Sequence, residues 1–151
     1  MSPAWPDELT KADAEYVTPL LPLFWARLSA LGDLLARDEQ LLCAELLAEV
    51  RKIVLAMMLA LNGIVRPAGT QHLNVYLGES QRQAMEKTLT LPASERDGWI
   101  GQAVALVVIY RWYAPQLVDA YDVPYPGDEE GEALRVLSDA LPEWPRTIST
   151  S

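Results

Sequence analysis

Trp112 and Asp119 lie seven residues apart. That is two helical turns, so on a helix they share a face. An aromatic face attracts a cation through its ring quadrupole, and a carboxylate supplies the countercharge. Tyr110 and Tyr113 stand on the neighbouring stripe, and Tyr76 and Glu79 belong to an irregular connector. Together these six predict a cleft for a small cationic molecule, beside the helix that carries Trp112. The competing reading puts Tyr110 and Tyr113 in the core and leaves Asp119 solvated. Catalytic motifs are missing. No GxGxxG or GxxxxGK(S/T) loop cradles a phosphate, no HExxH binds zinc, and no GxSxG presents a serine. Adjacent acids such as Asp38 and Glu39, or Glu129 and Glu130, point to different sides of a helix and cannot converge locally. Cys43 and His72 are each alone of their kind. This excludes a disulfide within the chain, a Cys/His metal site and a triad built on a second histidine. The residues favour a binding module with no metal and no cofactor.

Charge narrows the partners. Asp and Glu number 21 against 12 Lys and Arg, a net charge of −9 at pH 7. Such a surface repels phosphate backbones, and no Lys/Arg cluster offsets it, so neither nucleic acid nor an anionic membrane is expected. An acidic surface suits a cationic ligand, although acidity also serves solubility alone. With 151 residues, half of them hydrophobic, the chain can bury a real core as one domain. Phe occurs once, while Trp occurs 5 times and Tyr 6 times. Trp and Tyr carry a polar tip, which favours half-buried positions and interfaces. The N-terminus lacks a basic stretch followed by an apolar run, so the chain reads as cytoplasmic.

The positioning elements are helices. Trp99, Ala103, Leu106, Val107, Tyr110, Ala114, Leu117 and Tyr121 recur at helical spacing. With Val104, Val108 and Ile109 off that stripe, this helix is apolar almost all round, which suits the centre of a domain. Ser94 is its expected N-cap, and Pro115 is expected to kink its last turns. Upstream, residues 1–17 form a polar segment in which 7–16 can make a short helix. Thr18 and Pro19 read as an N-cap and first helical residue, with Leu20, Phe24, Leu28 and Leu31 as the inner face. Gly32-Asp33 either ends this helix or lies within one long bent helix. Residues 38–65 repeat Leu42, Leu46, Val50, Ile53, Met57, Leu61 and Ile64, and Arg66-Pro67 stops that pattern. Residues 70–78 read as an extended or single-turn connector, 79–89 as a short helix, and 128–141 as a final helix with acids crowding its start. Leu91-Pro92-Ala93 separates the short helix from the central one. Residues 18–141 then form the domain and 142–151 a tail. The expected fold is all-α, an up-and-down bundle of five to six helices.

Two resemblances sharpen this. FWARLSALGDLLARDEQLLCAELLAEVRKIVL resembles the opening helices of the α-helical C-terminal, substrate-binding domain of aminoglycoside- and lincosamide-type antibiotic nucleotidyltransferases. Phe24-Trp25, Gly32-Asp33 and Glu49-Val50-Arg51 carry the likeness. AVALVVIYRWYAPQLVDAYDVPYPGDEEGEALRVL is similar to its closing part: a Tyr-Arg helix, a Tyr-Pro turn, then a last helix. The likeness covers residues 24–137. In that family a separate α/β domain holds nucleotide and metal with a Gly-Ser turn and an Asp-x-Asp pair, and this sequence contains neither. The resemblance therefore implies substrate binding and dimerisation, or service to a separate catalytic nucleotidyltransferase, and not nucleotidyl transfer by this chain alone. The second resemblance is to HEPN ribonucleases, through Arg66 and His72 with five residues between them. It implies acid–base chemistry on RNA with phosphate stabilisation. The acidic charge stands against it, and the alternative is a solvated Arg66 with His72 held by the backbone.

Overall fold

A computed structural model describes residues 5–90 and 95–148. Among the described residues six α-helices follow one another: α1 (Ala14–Leu28), α2 (Leu31–Ala36), α3 (Gln40–Leu61), α4 (Glu79–Thr88), α5 (Arg96–Tyr121) and α6 (Gly127–Ala140). A single 3-10 turn, Asn74–Tyr76, precedes α4. Among the described residues no strand forms, only an isolated bridge between Lys11 and Ile64. The fold is an all-α bundle, as the periodicity requires.

α5 is one of two inner helices and not the enclosed centre its all-round apolar middle suggests, since α3 meets more of the other helices and Val104, Val108 and Ile109 are only partly buried. α5 packs along α3, α1 lies across both, and α6 covers α1 and α2. Ala103, Leu106, Val107, Tyr110, Ala114 and Leu117 are all fully buried. The stripe read from the sequence is therefore the core-facing stripe. Arg96 begins the helix, and the expected cap Ser94 and the Leu91-Pro92-Ala93 connector lie outside the described residues.

α1 starts earlier than Thr18-Pro19 suggests. Asp13 is its N-cap, its Oδ1 accepting from the Tyr16 amide at 2.8 Å, and Pro19 and Pro22 lie inside the helix. An interior proline costs roughly 3 kcal/mol. Val17, Leu21, Phe24, Trp25 and Leu28 are completely buried on this helix, each contributing about 1.5–3 kcal/mol. Burial outweighs the prolines. Leu20, expected inward, is only partly covered.

Residues 5–13 are not helical. They run as an extended strap, with the Ala12 amide donating to Gly63 at 3.1 Å and the Val65 amide donating to Thr10 at 2.8 Å. The strap exists because α3 stops early. Gly63 adopts φ +97°, and the Ile64 amide reaches back to the Leu59 carbonyl at 3.0 Å while the Gly63 amide meets Ala60 at 2.9 Å. This double closure is the left-handed helix stop that glycine permits. Ile64 and Val65, expected to be helical, leave the helix and pair with the strap. At the other end Asp38 takes φ 56°, so α3 begins at Gln40. Leu42, expected inward, is 42% exposed, while Cys43 and Leu47 face the core. Residues 142–148 do not trail away: Leu141 and Trp144 are buried, and Arg111 Nη1 donates to the Ile148 carbonyl at 3.0 Å.

Gly32 neither ends α1 nor serves a turn. The break falls at Ser29-Ala30, and Gly32 sits within α2, against α6. A Cβ placed there would lie 2.6 Å from the Ala140 Cβ. Gly32→Ala should therefore lower stability by about 1–3 kcal/mol, because the overpacking exceeds the helix-propensity gain of up to about 1 kcal/mol. Urea unfolding measures this, and an unchanged or raised midpoint would show that α2 and α6 separate freely.

Candidate functional site

α6 buries Ala133 and Leu137, and the residues beside that stripe meet α1 across a cleft of about 450 Å³. α1 supplies Trp25, Ala26 and Ser29, and α6 supplies Asp128, Glu129 and Glu132 along with Ala133 and Val136. The acids gather there because the first turn of α6 carries Asp128, Glu129 and Glu130, where the helix dipole favours negative charge. Their fates differ. Glu130 turns inward and takes Arg111 Nε at 2.9 Å. Glu132 is held by Arg135 of its own helix at 2.6 Å, which keeps its carboxyl below the usual range through hydrogen bonding first and charge second. Asp128 and Glu129 make no ion pair among the described residues. Among the described residues no basic one lines the cleft.

An aromatic cluster lies beneath it. Phe24 stacks on Tyr110 with centroids 4.2 Å apart, and Trp25 meets Tyr110 edge-on at 5.0 Å. The Trp25 indole N–H approaches the Tyr110 hydroxyl without reaching hydrogen-bond geometry. The Tyr110 hydroxyl donates to the Leu21 carbonyl at 3.0 Å. Burial pushes its ionisation far upward, reinforced by Tyr125, Glu130 and Glu129, so it stays neutral. The arrangement is a shallow acidic cleft on a buried aromatic base. It can hold a cation and place its carbon skeleton on Ala26, Ala133 and Val136.

The six residues expected to line a cleft beside α5 are not drawn together. Tyr110 is fully buried and Tyr113 is 8% exposed, so both belong to the core. Trp112 is 59% exposed and Asp119 is also exposed, both on the outer side of α5. Tyr76 is buried beneath the N-terminal strap, and Glu79 is exposed, accepting from Gln83 Nε2 at 3.2 Å. Acidic and aromatic groups do converge, but between α1 and α6.

Arg66 and His72 do share a cavity, of about 460 Å³, in the connector after α3. Its base is ordered by Asp7, whose Oδ2 accepts from Thr70 Oγ1 at 2.6 Å and from the Tyr76 hydroxyl at 2.7 Å. These bonds, Thr70 first, hold the Asp7 carboxyl below its ordinary value of 3.8. A folded value below the unfolded one adds stability above the unfolded pKa, and that stability is lost as pH falls through the folded pKa. Asp7→Asn should therefore flatten the loss of stability below about pH 4. Urea unfolding at stepped acid pH checks this, and parallel curves for the two proteins would contradict it.

A third polar junction has no signature in the sequence. Arg51 donates from Nε to Thr88 Oγ1 at 3.0 Å and from Nη2 to Gln102 Oε1 at 3.1 Å, joining α3, α4 and α5. Among the described residues no cluster of His, Cys, Asp and Glu is placed to hold a metal ion, and no helix is long and apolar enough to cross a membrane. Compared with protein-family models, curated proteins and solved structures, the chain gives no match.

Proposed function

We propose that this protein is a non-catalytic helical module that binds a small cationic ligand in the cleft between α1 and α6. The observation that carries this reading is the set of three carboxylates, Asp128, Glu129 and Glu132, bordering a cleft with no basic residue in its lining. The three carboxylates are exposed, so their attraction for a cation comes from their number and proximity and is strongest at low salt. The net charge of −9 adds a long-range field of the same sign. The reading keeps the likeness to the substrate-binding helical domain of antibiotic nucleotidyltransferases, whose aminoglycoside substrates are polycations. Association as a homodimer, or with a separate catalytic nucleotidyltransferase, belongs to the same proposal. Exposed Trp112 and Leu41 offer apolar surface for it.

The ribonuclease reading has one observation in its favour, the shared cavity of Arg66 and His72. Asp7 and Glu8 border Arg66 from the other side and repel a polyanion. Thermal denaturation with a cationic aminoglycoside at low salt tests the binding reading. Ligand that binds only the folded state raises the melting temperature with concentration. A melting temperature indifferent to the ligand would refute the reading.

A further inference from the structure

We propose that the groove between α4 and α5 binds a medium-chain aliphatic carboxylate, its hydrocarbon laid on α5 and its head at Lys87. The groove lies apart from the acidic cleft and does not rest on that reading. α4 is only 10 residues long, so it covers part of α5 and leaves the apolar residues beside it half-buried. Ala105, Val108 and Ile109 of α5 and Ala84 and Thr88 of α4 line a groove of about 500 Å³. That volume falls within the range of small-molecule sites, about 300–1,000 Å³. Water held against these side chains is released when hydrocarbon takes its place, which favours an apolar occupant.

The polar groups around the groove set the class of ligand. Thr88 Oγ1 donates to the Met85 carbonyl at 2.7 Å and accepts from Arg51 Nε at 3.0 Å. Thr90, also in the lining, donates from Oγ1 to the Lys87 carbonyl at 2.8 Å. Both hydroxyl protons are spent inside the protein, so neither is left for a ligand. Lys87 is the one charged residue among the described ones lining the groove. Its ammonium forms no ion pair among the described residues. A sugar or a nucleotide is polar along its whole length and would lose water here without gaining partners. An unbranched chain with one anionic end matches the lining. A second copy docking across a two-fold would bring the same lining and no carboxylate for Lys87. The net charge of −9 opposes an anion at long range, but salt screens that field beyond about 8 Å while Lys87 acts at contact. An anionic membrane surface meets the whole of that repulsion.

Isothermal titration of the full chain with decanoate tests this. Octanoate, acetate and decyl glucoside are the comparison ligands, and phosphatidylcholine–phosphatidylglycerol vesicles are the membrane arm. Decanoate should bind, and octanoate, shorter by two methylenes, should bind about tenfold more weakly. Acetate, the head alone, should not bind. Decyl glucoside, the same chain with a neutral head, should bind more weakly than decanoate. Lys87→Gln, at an exposed position, should weaken decanoate about threefold, the scale of an exposed charge pair, and leave decyl glucoside unaffected. Val108→Asn should weaken both about tenfold or more, because it sets a polar group against the chain. If Val108→Asn fails to fold, Lys87→Gln and the chain-length series still decide the outcome. No decanoate binding, affinity independent of chain length, or decanoate affinity unchanged in both variants would each refute the proposal. Binding to vesicles without binding of free decanoate would replace it by a membrane surface. A sedimenting dimer that Val108→Asn abolishes, with no decanoate bound, would replace it by a contact between copies.

Discussion

Tyr110→Ala should lower the unfolding free energy by about 3–5 kcal/mol, the range for removing a buried aromatic side chain. Tyr110 is completely covered, stacked on Phe24, edge-on to Trp25, and tied by its hydroxyl to the Leu21 carbonyl of α1. Removing it opens a cavity where α1 crosses α5. Against a typical total of about 5–15 kcal/mol, such a loss can unfold most of the population. Tyr110→Phe keeps the ring and removes only the hydroxyl, so its cost should fall to about 0.5–1.5 kcal/mol. Urea unfolding of both variants separates the two roles that the sequence leaves open. A core residue gives the large and small losses above. A ligand wall would leave the stability of Tyr110→Ala nearly intact and remove ligand binding instead.

Neutralising the acidic cleft should have the largest effect on binding. Asp128→Asn combined with Glu129→Gln removes the two carboxylates of the cleft that no internal cation engages. A charge-assisted hydrogen bond to a ligand is worth about tenfold or more in affinity. The double variant should therefore bind a cationic aminoglycoside about a hundredfold more weakly at low salt, if the two carboxylates act independently. Glu132→Gln should do less, because it also frees Arg135, which Glu132 now holds at 2.6 Å. Titration calorimetry measures these affinities. Equal affinity in parent and double variant would remove the cleft from the account of binding.

The helical pattern is legible in the sequence where burial is one-sided and local. The α5 stripe from Trp99 to Leu117 stands out because its residues recur at helical spacing on the one face that the core covers, while Trp112 and Asp119 lie on the open side. Helix ends are harder. Thr18-Pro19 has the residue types of a start, yet Asp13 caps α1 and the helix carries both prolines inside it. Gly32 has the residue type of a stop, while its true role is close approach to Ala140, more than a hundred residues away in sequence. Gly63 does more than close a helix, since by stopping α3 it frees Ile64 and Val65 for the strap. The candidate site shows the same limit. Asp128, Glu129 and Glu132 are recognisable as dipole-favoured acids, but nothing local says that α6 lies against Trp25 and Ser29. Trp112 and Asp119 do share a helix face, yet no buried partner turns that face into a cleft with Tyr110 and Tyr113. Arg66 and His72 come together because one short connector carries both.

Amide chemical-shift mapping of the full chain, titrated with a cationic aminoglycoside at low salt, tests the central claim most directly. Binding in the acidic cleft predicts that the signals of Ala26, Ser29, Glu129 and Ala133 move together and saturate along one binding curve, while Trp112 and Asp119 stay in place. Movement confined to Trp112 and Asp119, or a spectrum that does not change, would contradict it.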